Sequence, residues 1–150
     1  MSDTADLMKL YSGRILALAA DIPHLGRLEA PQASVRKRSP KCGSAVTVDL
    51  EMEGGRVARF AQDVKACALG QASAAVLGAG VIGTDRTTIE RARDQLRAML
   101  TAGGPVPDAP FDGFEVLLPA REYANRHASI LLALDATVEA MASADTEAPR

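Results

Sequence analysis

Residues 45–61 read AVTVDLEMEGGRVARFA, and this stretch decides the fold class. Apolar and polar residues alternate over positions 45–53, as they do in a strand that buries one face. Gly54-Gly55 supplies a two-residue turn that tolerates positive φ, and a second strand begins at Arg56. The sequence therefore predicts an antiparallel hairpin. Its predicted polar face carries Thr47, Asp49, Glu51 and Glu53.

Apolar residues recur at helical spacing on both sides of this hairpin. Before it, residues 27–40 show little periodicity and carry a basic cluster, which is typical of an edge strand or an extended loop. We predict four helices, over residues 5–20, 66–82, 86–100 and 121–141. The second is rich in small residues and is opened by Cys67, and Thr84 or Asp85 caps the third.

The order of helix, strands and then helices is typical of an α+β fold. We predict a small, mainly antiparallel sheet covered by helices on one side. A chain of 150 residues is the length of a single domain. We expect one domain over residues 1–150, ordered from about 5 to 141, with a frayed tail over residues 142–150.

Composition excludes several classes of function. The formal charge is -2, from 17 Lys and Arg against 19 Asp and Glu, and there is no Trp, so we expect no nucleic-acid binding. No apolar run approaches the roughly 20 residues that span a bilayer. The start, Met1-Ser2-Asp3-Thr4, lacks the basic residues of a signal peptide, which favours a cytoplasmic location without membrane association.

Residues 78–83, GAGVIG, fit the G-x-G-x-x-G pattern of dinucleotide-binding proteins. That interpretation needs a second strand with an acidic ribose ligand about 20 residues further on, where this chain has Gly-Gly-Pro-Val-Pro at residues 103–107. The remaining strands of such a fold would also have no room. We therefore interpret residues 78–83 as part of a closely packed helix and predict no nucleotide ligand.

The chain has two cysteines, which in a reducing compartment are thiols or metal ligands more often than a disulfide. Cys42 precedes Gly43 in a turn, and cations in residues 36–41 would favour its thiolate. Cys67 opens a helix, whose free N–H groups also favour thiolate. Because one thiol precedes the hairpin and the other follows it, both can lie at the same end of the sheet.

His127 on the last predicted helix is a third candidate ligand. A lone helical histidine is more often a core or surface residue, but two thiolates with an imidazole make a partial site for zinc or an iron–sulfur cluster. Water, a carboxylate or another protein would have to complete a tetrahedral set. We expect no enzyme with Cys42 as nucleophile, because the sequence places no general base beside it. His24, in a proline-containing loop, is interpreted as structural.

Several segments together resemble the U-type iron–sulfur cluster scaffold family, which comprises IscU, SufU and the N-terminal domain of NifU. The likeness runs from about Leu10 to Ala140. The most specific parts are a C-G turn and a C-A-x-x-x-A-S-A helix start, separated by a hairpin. The segments are Tyr11-Ser12, Arg14-Ile15-Leu16, Ile22-Pro23-His24-Leu25-Gly26, Pro40-Lys41-Cys42-Gly43, Cys67-Ala68-Leu69-Gly70-Gln71-Ala72-Ser73-Ala74 and Gly83-Thr84.

The resemblance implies a fold in which three cysteines and an aspartate gather at one exposed end. Such a site receives sulfur from a cysteine desulfurase, holds a transient 2Fe-2S cluster or zinc, and serves recipient apo-proteins. Cys42 and Cys67 match the first two cysteines. Ser44 stands in the place of the aspartate, and Ala128 in the place of the third cysteine. His127 could alternatively occupy that cysteine place.

Two functions remain open on this basis. The first is a divergent scaffold or carrier that binds its cluster or zinc through Cys42, Cys67 and His127. The alternative is a regulatory or interaction protein of the cluster machinery that kept the fold but lost stable cluster binding. For either function, the basic stretch at residues 36–41 could contact an acidic surface on a cysteine desulfurase, or simply be a solvated edge that prevents strand aggregation.

Overall fold

A three-stranded antiparallel sheet, in the order β1–β2–β3, is the framework of the molecule. The computed structural model describes residues 11–40 and 43–147. Strand β1 spans Ala33–Ser39, β2 spans Ser44–Glu53 and β3 spans Arg56–Lys65. The predicted hairpin is therefore confirmed, with Gly54 and Gly55 both at positive φ in its turn. The basic segment before it forms the edge strand.

The helices surround one face of this sheet. Helix α4 packs on β1 and β2, and it also contacts α2 and α3. Strands that are covered by helices on one side confirm the predicted α+β class. The helices are α1, Gly13–Ala19; α2, Ala68–Gly80; α3, Arg86–Thr101; a 3-10 helix, Asp112–Glu122; and α4, Ala124–Glu147.

The predicted cap of α3 is confirmed, but the predicted bounds of the last helix are not. Asp85 is the cap of α3 and accepts a 2.9 Å hydrogen bond from the backbone N–H of Thr88. The predicted boundaries of the last helix were wrong. It begins three residues later than expected because the 3-10 helix takes up the preceding residues, and it continues to Glu147 instead of ending at residue 141.

The prediction that β2 exposes a polar face was wrong for its first half. Thr47 is 9% exposed and Asp49 is fully buried. The segment between α1 and β1 pairs with the free edge of β3, where Leu25 forms a parallel bridge with Gln62, and on the outer face its Arg27 binds the Asp49 carboxylate. Alternation in sequence showed which residues share a face, but not that a distant segment covers it.

The inner face of the sheet and the helices share one apolar core. Its largest fully buried side chains come from every layer. They are Phe111, Phe114, Ile15, Leu50, Leu69, Leu77, Ile89, Leu96, Met99, Leu117 and Ile130.

The interpretation of the G-x-G-x-x-G stretch as a closely packed helix is confirmed for residues 78–80, at the end of α2, and was wrong for residues 81–83, which follow the helix. Within the described residues, no helix combines the length and the apolar character that crossing a lipid bilayer requires.

Candidate functional site

Cys67 lies where β3 gives way to α2, at the end of the sheet opposite the hairpin turn. It is the N-cap residue of α2, with extended backbone, and its carbonyl accepts the N–H of Gln71 at 2.9 Å. The side chain is partly exposed. Its sequence position at a helix start was therefore predicted correctly, and its sulfur remains accessible from solvent.

Two serine hydroxyls connect Cys67 to the rest of this end of the fold. Ser129, on the second turn of α4, places its Oγ 3.6 Å from the Cys67 Sγ and 3.0 Å from the Ser44 Oγ. Both serines are buried, at 2% exposure each. Helix α2, strand β2 and helix α4 thus meet at one hydrogen-bonded cluster with a thiol at its edge.

Gly70 allows this approach of α2 to α4. A Cβ at position 70 would lie 2.6 Å from the Ser129 Oγ and 3.2 Å from the Ser129 carbonyl oxygen, closer than side chains tolerate. One turn further, the Ser73 hydroxyl donates a 2.6 Å hydrogen bond to the Ile130 carbonyl. The small residues at the start of α2 therefore fix the distance between Cys67 and α4.

A shallow pocket of about 290 Å³ opens beside Cys67. It is lined by Gly43, Ser44, Lys65, Ala66, Cys67 and Gln71. Gly43 adopts φ +70°, a left-handed conformation that favours glycine, and its N–H donates to the Ser39 carbonyl at 3.0 Å. Gly43 and the start of β2 on one side, and the end of β3 with the start of α2 on the other, therefore line one open site.

Cys42 lies outside the described residues, so its role as a ligand stays a prediction. Chain connectivity makes it the residue directly before Gly43, which lines the pocket. The cation Lys41, also named in the sequence prediction, lies outside the described residues as well.

His127 lies two residues before Ser129, on the first turn of α4. Its Nε2 lies 2.8 Å from the Ala120 carbonyl oxygen in the 3-10 helix. A carbonyl oxygen only accepts, so Nε2 is the donor, and in a neutral imidazole Nδ1 is then the nitrogen with the lone pair. Ala128, which the resemblance aligns with the family's third cysteine unless His127 takes that place, is exposed. The structure records no contact between His127 and Cys67, and their convergence stays a prediction.

Metal-binding capacity is limited among residues 11–40 and 43–147. Within that part of the chain, no three His, Cys, Asp or Glu side chains are grouped so that they could hold a metal ion. The Ser44 side chain, at the place of the family's aspartate, points to α4 and contacts Ser129. A full ligand set thus needs a residue outside the described part of the chain, such as Cys42, or a group from outside the chain.

Sequence reasoning did not identify Ser129 as a contact of Cys67. The two residues are separated by 62 positions, and Ser129 entered only as part of a segment similar to the family. The available signal was the pair of small residues, Gly70 and Ser73, which indicates that another helix packs closely against the start of α2.

Comparison with solved structures identifies similar chains. A nitrogen-fixing NifU-like protein (N-terminal) from Brucella abortus has a TM-score of 0.92 and 40% identity, over 95% of this chain and 99% of that chain. A proposed iron–sulfur cluster assembly scaffold protein for the SUF system, from the thermophile Fervidobacterium islandicum AW-1, has a TM-score of 0.79 and 19% identity, over 89% and 98%. A hypothetical protein has a TM-score of 0.75 and 20% identity, over 90% and 98%.

The last two comparisons show the fold alone. The sequence matches no protein-family model and no curated protein. The 40% identity to the Brucella protein, over nearly the whole of both chains, goes further than the fold. The chain belongs to the NifU-like N-terminal family of U-type iron–sulfur scaffolds, which its two cysteine motifs resemble.

Proposed function

We propose that this protein is an iron–sulfur cluster scaffold or carrier, on which a transient 2Fe-2S cluster or a zinc ion is held by Cys42, Cys67 and His127. The observation that supports this most directly is the open pocket between Gly43 and Cys67. It lies in a chain that is 40% identical to a NifU-like N-terminal domain. The role is binding and transfer and requires no catalytic group.

Thiolate sulfur supplies most of the affinity for zinc and for iron–sulfur clusters. Cys67 supports this role because it is partly exposed and lines the open pocket at the start of α2. The Ser129 hydroxyl, 3.6 Å from the Cys67 sulfur, fixes its orientation.

His127 fits the role of a third ligand through Nδ1. Metal-binding histidines usually donate their other ring N–H to a carbonyl or carboxylate, which fixes the tautomer and the ring plane. The hydrogen bond from Nε2 to the Ala120 carbonyl has this form. The 3-10 helix would then act as the support that orients the ligand.

Such a site holds its cargo less tightly than three cysteines and an aspartate would. Ala128 offers no ligand, and the Ser44 hydroxyl is neutral and already bonded to Ser129. Weak retention suits a protein that receives sulfur from a cysteine desulfurase and passes a cluster to recipient apo-proteins.

The test is metal and cluster occupancy after anaerobic purification and after reconstitution with iron and sulfide. We expect binding in the wild type, loss in Cys42→Ala and in Cys67→Ala, and roughly ten- to hundredfold weaker binding in His127→Ala. Ser73→Ala is the matched control, since it removes a hydroxyl from the same helix interface without contacting Cys67.

Two outcomes would change the assignment. If His127→Ala binds as the wild type does, His127 is a structural residue and another group completes the site. If the wild type binds neither zinc nor a cluster, the scaffold function is rejected. The interaction-protein alternative would then take its place, as the small number of ligands among the described residues suggests.

A further inference from the structure

The outer face of the sheet carries cations next to the Cys67 pocket. Antiparallel pairing aligns Arg38 with Ala45 and Ala45 with Lys65, so these three residues form one row across the sheet. Arg36 lies in the next row on the same face, because side chains alternate along a strand. All three cations are exposed. We call Arg36, Arg38 and Lys65 the basic face.

Lys37 does not belong to this surface, which corrects the sequence prediction of one continuous basic stretch. It projects to the opposite side of β1, where its Nζ lies 2.9 Å from the Glu139 carboxylate on α4. Lys65, which is distant in sequence, takes its place beside Arg38. The surface is therefore assembled across strands.

Some cations of the described chain are paired with carboxylates, whereas Arg14, Arg56, Arg121 and Arg126 are not; Arg56 and Arg121 donate to backbone carbonyls instead. Arg27, Arg59, Arg86, Arg91, Arg93 and Arg97 each form an ion pair with a carboxylate. Among the described residues, no carboxylate lies within ion-pair distance of Arg36, Arg38 or Lys65. Asp63 is two strands away from Arg36 in its row, roughly 10 Å across the sheet. A chain with net charge -2 thus presents a locally positive surface here.

Location links this surface to the proposed site. Lys65 lines the pocket that contains Cys67, and Arg38 is one residue before the end of β1 that leads into the Gly43 turn. A partner that covers the basic face therefore also reaches the pocket. Complementary charge at such a rim orients a partner and accelerates its association.

Protein is a better occupant of the basic face than nucleic acid. Nucleic-acid binders neutralise several phosphates and stack bases on aromatic side chains. Three rows of residues cross the outer face of the sheet here: Ser34–Asp49–Ala61, Arg36–Thr47–Asp63 and Arg38–Ala45–Lys65. Together these rows contain the three cations, the acidic residues Asp49 and Asp63, and no aromatic residue.

We infer that the basic face is the docking surface for an acidic surface of the protein that delivers sulfur to this site. The inference rests on the proposed function, in which that protein is a cysteine desulfurase. Arg36, Arg38 and Lys65 steer the partner electrostatically and set its orientation over the Cys67 pocket. Lys37 and Glu139 play no part in docking.

The test is the association rate of the full-length chain with purified cysteine desulfurase, at low and at physiological ionic strength (about 0.15 M). We expect Arg36→Glu with Arg38→Glu to lower the association rate constant at low salt at least about tenfold and to remove most of its salt dependence. Arg36→Gln with Arg38→Gln should give an intermediate loss. Circular dichroism and thermal unfolding verify that each variant is folded.

Arg91→Glu with Arg97→Glu is the matched control. It changes the net charge by the same amount, but on α3, which packs against α4 on the other side of the sheet. If both double variants slow association equally, the effect is one of total charge and the docking surface is rejected. It is also rejected if the Arg36 and Arg38 variants bind as the wild type does, a result that leaves the cluster-binding proposal intact.

Two further outcomes separate the alternatives. A wild type that does not bind the desulfurase overturns both this inference and the proposed partner, whereas metal occupancy tests cluster binding independently. If a single-stranded RNA oligonucleotide displaces the desulfurase from the wild type, and binds less well to the Arg36 and Arg38 variants, the basic face is a nucleic-acid site instead.

Discussion

Replacing Asp49 by Asn should weaken the attachment of the segment between α1 and β1 to the sheet. The Asp49 carboxylate is fully buried and accepts four hydrogen bonds. Arg27 donates from Nε at 2.6 Å and from Nη2 at 3.2 Å, the Ser34 hydroxyl donates at 2.6 Å, and the Leu28 N–H donates at 3.1 Å. An asparagine at this position keeps one acceptor oxygen and turns an NH2 group towards donors.

The size of the destabilisation caused by Asp49→Asn depends on which hydrogen-bond partners of Asp49 are buried. The Arg27 side chain is 56% exposed, so water screens its ion pair and its share of the stabilisation is small. The bonds from Ser34 and Leu28 end on a fully buried carboxylate, where each such bond is worth about 1.5–3 kcal/mol. With one acceptor retained, we expect Asp49→Asn to lower the free energy of unfolding by about 2–4 kcal/mol.

The pH dependence has a defined sign. Burial by itself raises the pKa of Asp49, but the hydrogen bonds from Arg27, Ser34 and Leu28 outweigh it, and the pKa lies below its ordinary value. The stabilisation is therefore fully present above the unfolded pKa of about 3.9 and is lost as the pH falls through the lower, folded pKa. The difference between wild type and Asp49→Asn should be constant at neutral pH and shrink below about pH 4.

Urea unfolding at neutral and acidic pH measures both quantities. Asp63→Asn is the control, since Asp63 is an exposed carboxylate on the same face, and its loss should change stability by no more than about 0.5 kcal/mol. The reasoning fails if Asp49→Asn is as stable as Asp63→Asn at neutral pH. It fails equally if the difference grows as the pH falls towards 3.

Two other predictions concern the site. Ala128→Cys supplies a thiol at an exposed position on α4 and should tighten zinc binding at least about tenfold, as measured by competition with a chelator. The control Ala58→Cys, near the opposite end of the sheet, should not tighten zinc binding. Equal effects of the two substitutions would argue against a site at Ala128. Gly70→Ala should destabilise the fold by about 1–3 kcal/mol in thermal unfolding, because the new Cβ lies 2.6 Å from the Ser129 Oγ. The control Gly13→Ala, with no atom within 4 Å of the new Cβ, should be neutral or stabilising. A Gly70→Ala protein as stable as the wild type would contradict the close approach of α2 to α4.

Local patterns predicted the elements whose stability is local. The hairpin follows from alternation and two turn glycines, and the start of α3 follows from the capping chemistry of Asp85. The 3-10 helix at Asp112–Glu122 was not predicted, because it contains Pro119 and lacks helical periodicity. Burial of Asp49 was not predicted either, because its partner Arg27 lies 22 positions away.

In the candidate site, too, features set by neighbouring residues could be predicted and features set by distant contacts could not. The position of Cys67 at a helix start could be predicted from neighbouring residues alone. Its contact with Ser129 depends on how closely two helices pack, which is a property of the assembled core. The direction of Lys37 likewise depends on α4 lying against the inner face of β1, so a basic run in sequence was not a basic surface in space.

Ala128 and Ser44, the two positions at which the resemblance places a missing ligand, differ in burial and in their contacts. Ala128 is exposed, so the missing thiol leaves no gap in the packing and a cysteine there meets solvent. Ser44 is 2% exposed and its hydroxyl bonds Ser129, the residue that also contacts Cys67. A carboxylate in that orientation would be buried against the Ser129 hydroxyl, and burying a charge is costly unless it is paired. The serine therefore serves the packing of β2 against α4, and any increase in ligand number is structurally easier on α4 than in the turn that follows Cys42.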